Sequence, residues 1–371
     1  MTQLKTLADA LIARGHRVVY IVQGNTSLTD SAHFKVYRFP SPRPTRPRDF
    51  IFLHRLVRQY RPDCMIGNFA TVNVMTLTGW LNGVPNRVNW YRTLSAAIDH
   101  DAAPKPRHPL LARLLHLRKK GVYALSTNLV ANSKAAYEDM LHVYQIPCRK
   151  ARLIYNAIPD VGMSLGITPL PAAQRKGIIA IGRLEMTKGQ DILLRALKIL
   201  RDRGLTPQVS FLGQGSQAAA WKALAEQLGV QDQCRFLGYV AYQDVFQHMA
   251  QAALCISPSR SDAFGWVNIE AMSMFTPVIA SAVGGVPEVI CDGIDGFLVP
   301  SENPEALADT IQRVLPDVRL RAQIGQQARR RFLSTFEQTR NIEQQVLWFE
   351  SLIDRAGSSP VQPPSIMHRL R

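Results

Sequence analysis

The stretch "GIIAIGRLEMTKGQDILLRAL", residues 177–197, decides the fold class. Ile178–Ile181 is a short apolar run that reads as a buried strand. Gly182-Arg183 ends it, Lys188-Gly189 follows, and a helix then begins. The same strand–turn–helix order recurs downstream. The strands there are "QVSFLGQG" (208–215), "CRFLGYV" (234–240), "ALCISPS" (253–259), "PVIASAV" (277–283) and "GFLVP" (296–300). Such alternation predicts a mainly parallel α/β sheet with right-handed crossovers.

Upstream the pattern is similar. "HRVVYIVQ" (16–23) reads as a strand and "DCMIGN" (63–68) as a short buried one. "RDFIFLHRLVRQYRP" (48–62) reads as a helix with Leu53, Leu56, Val57 and Tyr60 on one face, closed by Pro62. "RVNWYRTL", "ALSTNLVANS" and "ARLIYNAI" complete a first α/β unit. Residues 158–176, rich in Pro and Gly and without apolar period, read as a linker. The chain thus predicts two Rossmann-like domains, 1–157 and 177–335. The C-terminal helix, about 336–371, is expected to pack back on the first. Open α/β sheets bind ligands at strand carboxyl ends, so two such domains leave a cleft for one. The chain opens on what reads as the first helix of a doubly wound domain. The strand and glycine-rich turn that normally precede it are expected in a segment upstream; the other reading is a domain that lacks this usual central strand.

The 371 residues and 46% hydrophobic content suit two soluble cores. Five scattered cysteines show no metal-ligand or C-x-x-C spacing, which predicts reduced thiols and a cytoplasmic setting. No signal peptide or membrane span is read from the sequence. The net charge is +16, and residues 1–160 carry +14 of it, with 23 Lys/Arg against 9 Asp/Glu. That field favours a polyanion or an anionic membrane surface. No nucleic-acid module accompanies it, so no nucleic-acid partner is expected.

Four motifs bear on chemistry. In "SRSDAFGWVNIEAMSMF" (259–275), Asp262 stands before a helix and Glu270 inside it. A helix start offers free N–H groups and a positive dipole end to an anion. A carboxylate accepts two hydroxyls of a sugar or ribose diol. Spacing alone equally allows a helix-start acid and a solvated Glu. Arg183 and Lys188 on one strand-to-helix loop suit a diphosphate, or are ordinary surface cations. "GQG" (213–215) and "VGGVPEVI" (283–290) are glycine turns of generic kind. In "HPLLARLLHLRKKG" (108–121), Leu110, Leu111, Leu114, Leu115 and Leu117 share one side. Arg113, His116, Lys119 and Lys120 take the other, with Arg118 near the apolar edge. This is either an interfacial amphipathic helix or a buried face with a basic back.

The order of these motifs is more specific than any one of them. G-R…K-G, G-x-G, F-L-G, S-x-S-D-x-F-G-x-x-x-x-E and P-V-I-A-S-x-V-G-G-V-P-E succeed one another over residues 178–300. In this the chain resembles glycosyltransferase family 4, the retaining, nucleotide-sugar-dependent group 1 enzymes of GT-B fold. "ALIARGHRVVYIV", "RPDCMIGNFA" and "LVANSKAAYEDM…ARLIYNAIP" extend the resemblance more weakly to the first half.

The resemblance implies roles for named positions. Asp262, one methylene shorter than the family's usual Glu, would contact the donor sugar. Glu270 would bind the ribose hydroxyls. Backbone amides at Phe264, Gly265 and Trp266 would approach sugar and phosphate. Gly182, Arg183 and Lys188 would lie against the diphosphate. Phe236, Leu237 and Gly238 would hold the base by backbone contacts. The donor would be a UDP-sugar or GDP-sugar, with no other cofactor and no metal if the cations take the charge. The acceptor would be a glycan or a lipid-linked molecule, met by the basic first domain at the cytoplasmic face of the membrane. Many members carry a cleft histidine after the strand matching "RVNWYRTL"; here Tyr91-Arg92-Thr93 stand there, with His100 and His108 later. A degenerate, non-catalytic scaffold of the same fold is the alternative reading.

Overall fold

A central parallel strand must be apolar on both faces, because helices cover both. Ile178, Ile179 and Ala180 meet that condition, each less than 5% exposed. The computed structural model, which describes residues 2–23, 30–31, 34–95 and 109–355, places them in the middle of a six-stranded sheet.

In chain order, helix α1 (Thr2–Ala13) precedes strands β1 (Val18–Val22) and β2 (Phe34–Arg38). Helix α2 (Pro47–Tyr60) leads to β3 (Cys64–Gly67), and α3 (Val72–Leu81) to β4 (Asn86–Tyr91). Then come α4 (Pro109–Leu125), β5 (Asn128–Ala131), α5 (Lys134–Tyr144), β6 (Ala151–Leu153) and the single turn α6 (Val161–Ser164). Strict alternation follows: β7 (Ile178–Ile181), α7 (Gln190–Asp202), β8 (Val209–Leu212), α8 (Ala218–Gln227), β9 (Cys234–Gly238), α9 (Tyr242–Gln251) and β10 (Leu254–Ser257). It continues with α10 (Trp266–Ser273), β11 (Val278–Ser281), α11 (Val286–Val289) and β12 (Phe297–Val299). Helices α12 (Pro304–Val314), α13 (Val318–Arg331) and α14 (Gln338–Arg355) close the described chain.

The chain divides into two compact units. One holds the described residues of Leu7–Trp90, Leu117–Leu129 and the chain from Glu343. In it β1 pairs in parallel with β2, and β3 with β4, Cys64 opposite Asn86. Helix α2 buries Leu53, Leu56 and Val57, the face its sequence period marks. Arg61 ends it in the left-handed region (φ 44°) ahead of Pro62. Helix α14 is tied into this unit by Asn86 Nδ2 donating to Leu352 O (3.1 Å) and by Arg14 on Glu350 (2.9 Å).

The other unit holds the described residues of Met1–Thr6, Tyr91–His116 and Val130–Ile342. Its sheet runs β12-β11-β10-β7-β8-β9, all parallel. The chain winds outward from β7 to β9, returns to β10 on the other side, and winds outward again. The switch therefore lies between β7 and β10, where a doubly wound sheet opens a crevice at its strand carboxyl ends. Leu193, Leu197 and Phe211 fill the core on one face; Phe246, Ile269 and Met272 fill it on the other.

Residues 158–176 hold more structure than their composition predicts. Ile158 bridges to Glu337, α6 forms one turn, and Arg175 is 6% exposed. The Arg175 guanidinium donates to Met274 O (2.9 Å), Phe275 O (3.1 Å) and Thr276 Oγ1 (3.0 Å). A buried arginine satisfying carbonyls leaves no apolar period to read.

Candidate active site

Of the motif residues, Lys188, Asp262 and Trp266 come together at the switch point. Gly182 follows β7 at φ 147° and donates its N–H to Leu212 O (2.9 Å). A Cβ on Gly213 would lie 1.9 Å from the Gly182 oxygen, so the two turns pass too closely for any side chain there. Arg183 is exposed, and its carbonyl accepts from Gln190 Nε2 (3.0 Å). Lys188 ends a 3₁₀ turn, Met186–Lys188. Gly189 then turns left-handed (φ 65°), where a Cβ would meet Pro258 O at 2.0 Å.

Asp262 occupies the centre. Its Oδ2 accepts from Lys188 Nζ at 2.7 Å. Its Oδ1 accepts the N–H groups of Phe264 (3.1 Å) and Gly265 (2.7 Å). Burial alone would raise this carboxyl. The Lys188 charge and its hydrogen bond, with the two amides, outweigh burial and hold it below the ordinary carboxylate value. The short side chain explains the geometry, because one methylene brings the carboxylate back onto the loop's own amides. The Phe264 and Gly265 amides are thus already engaged by Asp262.

Phe264 is 1% exposed and meets Tyr155, Trp266 and Phe336 edge-on or tilted. Gly265 is left-handed (φ 88°) and caps α10; a Cβ there would strike Asn268 Nδ2 at 2.4 Å. Trp266 opens α10, with the Arg92 guanidinium 6.0 Å from its ring centre. Ile181, Lys188, Ser257, Ser259, Asp262 and Trp266 line a cavity of about 80 Å³ at the ends of β7 and β10.

Glu270 sits one turn deeper, 8% exposed, hydrogen-bonded by Tyr242 from the start of α9. Burial pushes its carboxyl up to about 7, and the Tyr242 hydrogen bond works against that rise. Burial and then Glu270 raise the Tyr242 hydroxyl in turn. Phe236, Leu237 and Gly238 lie on edge strand β9, two strands from β7. Phe236 stacks on Phe211 (4.8 Å, 11°), Leu237 is 42% exposed, and Gly238 O accepts from Gly213 N (2.8 Å).

Two residues absent from the sequence reading support the site. Tyr242 reaches Glu270 from another element, and nothing in its local sequence marks it. Arg260 pins the Lys188 loop to the Asp262 loop. It donates to both oxygens of Asp191 (2.8 and 2.7 Å), to Glu302 (2.8 Å) and to Met186 O (2.8 Å). Its place in "S-R-S-D", two residues before Asp262, was the available signal. His100 and His108 lie outside the described residues. Among the described residues, no group of three or more His, Cys, Asp or Glu is placed to hold a metal ion, and no helix is long and apolar enough to cross a membrane.

Two family descriptions match the chain: "Glycosyl transferases group 1" over residues 169–331 and "Glycosyltransferase Family 4" over residues 2–160. A D-inositol 3-phosphate glycosyltransferase of Salinispora arenicola is 31% identical over 68% of this chain and 61% of its own length. An uncharacterized glycosyltransferase of Methanocaldococcus jannaschii is 30% identical over 55% of each. The match thus spans less than two thirds of these relatives. Among solved structures, sucrose-phosphate synthase from Thermosynechococcus elongatus superposes with a TM-score of 0.78 at 22% identity, covering 95% of this chain and 93% of that one. WaaG, a glycosyltransferase involved in lipopolysaccharide biosynthesis, gives 0.70 at 20% identity over 93% and 94%. Anabaena Alr3699/HepE in complex with UDP and glucose gives 0.70 at 20% identity over 90% and 99%. The fold is that of the GT-B glycosyltransferases.

Proposed function

The chain belongs to the group 1, family 4 glycosyltransferases, and from that we propose that it moves a sugar, with retention, from a nucleotide-diphosphate sugar to a glycan or lipid-linked acceptor. The acceptor belongs to cell-surface polysaccharide or glycolipid synthesis and is met at an anionic membrane surface. Residues 1–157 serve the acceptor, 158–176 link, and 177–335 hold the donor, a UDP-sugar or GDP-sugar. The observation that carries this reading is the Lys188–Asp262 pair at the switch-point cavity, followed in the same motif by a buried Glu270 one turn into α10.

The chemistry follows from charge. As the anomeric C–O bond breaks, positive charge grows on the sugar and negative charge on the departing diphosphate. Arg183, Lys188 and the start of α10 are the groups that would stabilise that diphosphate. The acceptor oxygen attacks from the face the diphosphate leaves, and its proton passes to the leaving phosphate oxygen. Glu270 takes the ribose hydroxyls. Asp262 orders Lys188 and the Phe264–Gly265 turn, and stands where the transferred sugar is read.

Donor binding then depends on pH with a definite sign. A carboxylate accepts both ribose hydroxyls, whereas a protonated carboxyl accepts them poorly. With Glu270 titrating at about 7, the unliganded protein holds its proton below neutrality. Affinity for the nucleotide is expected to rise with pH up to about 7 and then level, with proton release on binding at pH 6. Calorimetry in buffers of different ionisation enthalpy measures that release. Glu270→Gln should abolish it, and Tyr242→Phe should move the midpoint upward, since Tyr242 lowers the Glu270 value. The same raised value means that this group's contribution to folding stability falls as pH rises from about 4.5 to about 7.

A thermal-shift and hydrolysis screen against UDP-, GDP- and ADP-sugars tests the proposal. One donor class should raise the melting temperature, since ligand at 100 times its Kd adds ~2.7 kcal/mol. The same donor should be slowly hydrolysed. Silence across the panel would falsify the donor assignment.

A further inference from the structure

A lysine is a charge on a flexible stem, so its place depends on the backbone that carries it and on the partner it meets. Lys188 ends the 3₁₀ turn Met186–Lys188. Two successive carbonyls of that turn are held by one residue. Arg260 Nη1 donates to Met186 O (2.8 Å), and the Arg260 backbone N–H donates to Thr187 O (2.8 Å). The same guanidinium forks onto the first turn of α7, Nη1 to Asp191 Oδ1 (2.8 Å) and Nη2 to Asp191 Oδ2 (2.7 Å). Its Nε donates to Glu302, just after β12 (2.8 Å). The Arg260 and Asp191 side chains are 11 and 9% exposed, and a bidentate fork fixes geometry as well as charge. Two residues on, Asp262 Oδ2 accepts from Lys188 Nζ (2.7 Å). The contacts close a ring, from Arg260 to the turn, through Lys188 to Asp262, and back along the chain through Ser261.

We propose that Arg260 is a positioning residue for sugar transfer, holding the Lys188 ammonium at the leaving diphosphate by fixing the turn beneath it. The proposal rests on the diphosphate role given to Lys188 above. Arg260 acts through Lys188 and does not itself take the diphosphate. All three of its side-chain nitrogens are engaged, and the carboxylates of Asp191 and Glu302 face its one charge. What it supplies is geometry. A preorganised cation stabilises a developing anion without rearranging as the charge appears. A misplacement of about 1 Å that arises away from the chemistry can slow a reaction by ~10²-fold. The fork matters more than the charge. A lysine at position 260 would keep the charge, but it could not span both Asp191 oxygens and Met186 O from one plane.

The test is a double-mutant cycle on the full chain, read by hydrolysis of the sugar donor that the screen above selects. Arg260→Lys should lower kcat by roughly 10- to 100-fold and leave KM for the donor little changed. In a Lys188→Met background the same substitution should bring no further loss, because groups that act through one another are not additive. Asp191→Asn, which keeps the shape of the pair and gives up its charge, should show the same dependence on Lys188. A brace with a purely structural role would lower the melting temperature and reduce kcat by the same factor with or without Lys188; that result overturns the proposal, as does an unchanged kcat. A second readout needs no donor. The stability coupling between Lys188 and Asp262 is measured from melting curves of Lys188→Met, Asp262→Asn and the two combined. With Arg260→Lys in place it should shrink. Coupling that shrinks in a protein that hydrolyses no donor upholds the positioning of Lys188 while the donor reading falls. Unchanged coupling removes the positioning role whatever the activity.

Discussion

Glu270→Ala is expected to lower sugar transfer by about 100-fold or more without weakening the fold. In the proposed donor site the variant loses two charge-assisted hydrogen bonds to a ribose diol, each worth ~1.5–3 kcal/mol. The stability half of this expectation is the less obvious one. Glu270 is 8% exposed, and its carboxyl is pushed up to about 7 because its surroundings disfavour the charge. At pH 8 the folded protein therefore carries a carboxylate that opposes folding, and its removal relieves that opposition. The melting temperature of Glu270→Ala at pH 8 should equal or exceed that of the wild type, while transfer collapses. A residue that costs stability where it stands is a candidate for function. Near-normal transfer by this variant removes Glu270 from the donor site.

Lys188→Met should be as damaging to transfer and should behave oppositely in stability. Removing one group that stabilises a developing anion typically slows an enzyme by ~10²–10³-fold. Here the lysine also neutralises Asp262, whose side chain is only 14% exposed. Its loss strands a largely buried carboxylate, so the melting temperature should fall. Adding Asp262→Asn should restore most of the stability. The asparagine oxygen still accepts the Phe264 and Gly265 amides, and no charge is left unpaired. Transfer should not return, because no cation has been replaced. Melting curves and initial rates on the two variants separate these effects. Full transfer by Lys188→Met would sink the diphosphate role, and a double variant no more stable than the single one would sink the pairing argument.

Much of the candidate site's backbone was legible in the chain. Gly182, Gly189 and Gly265 stand where the backbone turns through positive φ, and local sterics admit few other residues there. The parallel sheet followed from strand–helix alternation, and α2 from its apolar period. The leucine stripe of α4 was visible as a pattern, but its two readings, interfacial or buried, were indistinguishable. Periodicity reports which residues share a face and is silent on what that face meets. The local structure within residues 158–176 was not legible for the converse reason, since buried Arg175 binds carbonyls and shows no period.

The sequence by itself determined the order of strands, turns and helices and the eight-residue interval between Asp262 and Glu270. These are short-range properties, fixed by sterics and hydrogen bonding among neighbours in the chain. Only the tertiary structure decided how the two acids differ. Asp262 is held charged by a lysine 74 residues away and by amides beside it. Glu270 is driven toward neutrality by burial, opposed by Tyr242. The charge state of a carboxyl depends on the solvent it loses and the partners it gains. Both are supplied by segments distant in sequence, so two acids in one motif acquire opposite electrostatics when the chain folds.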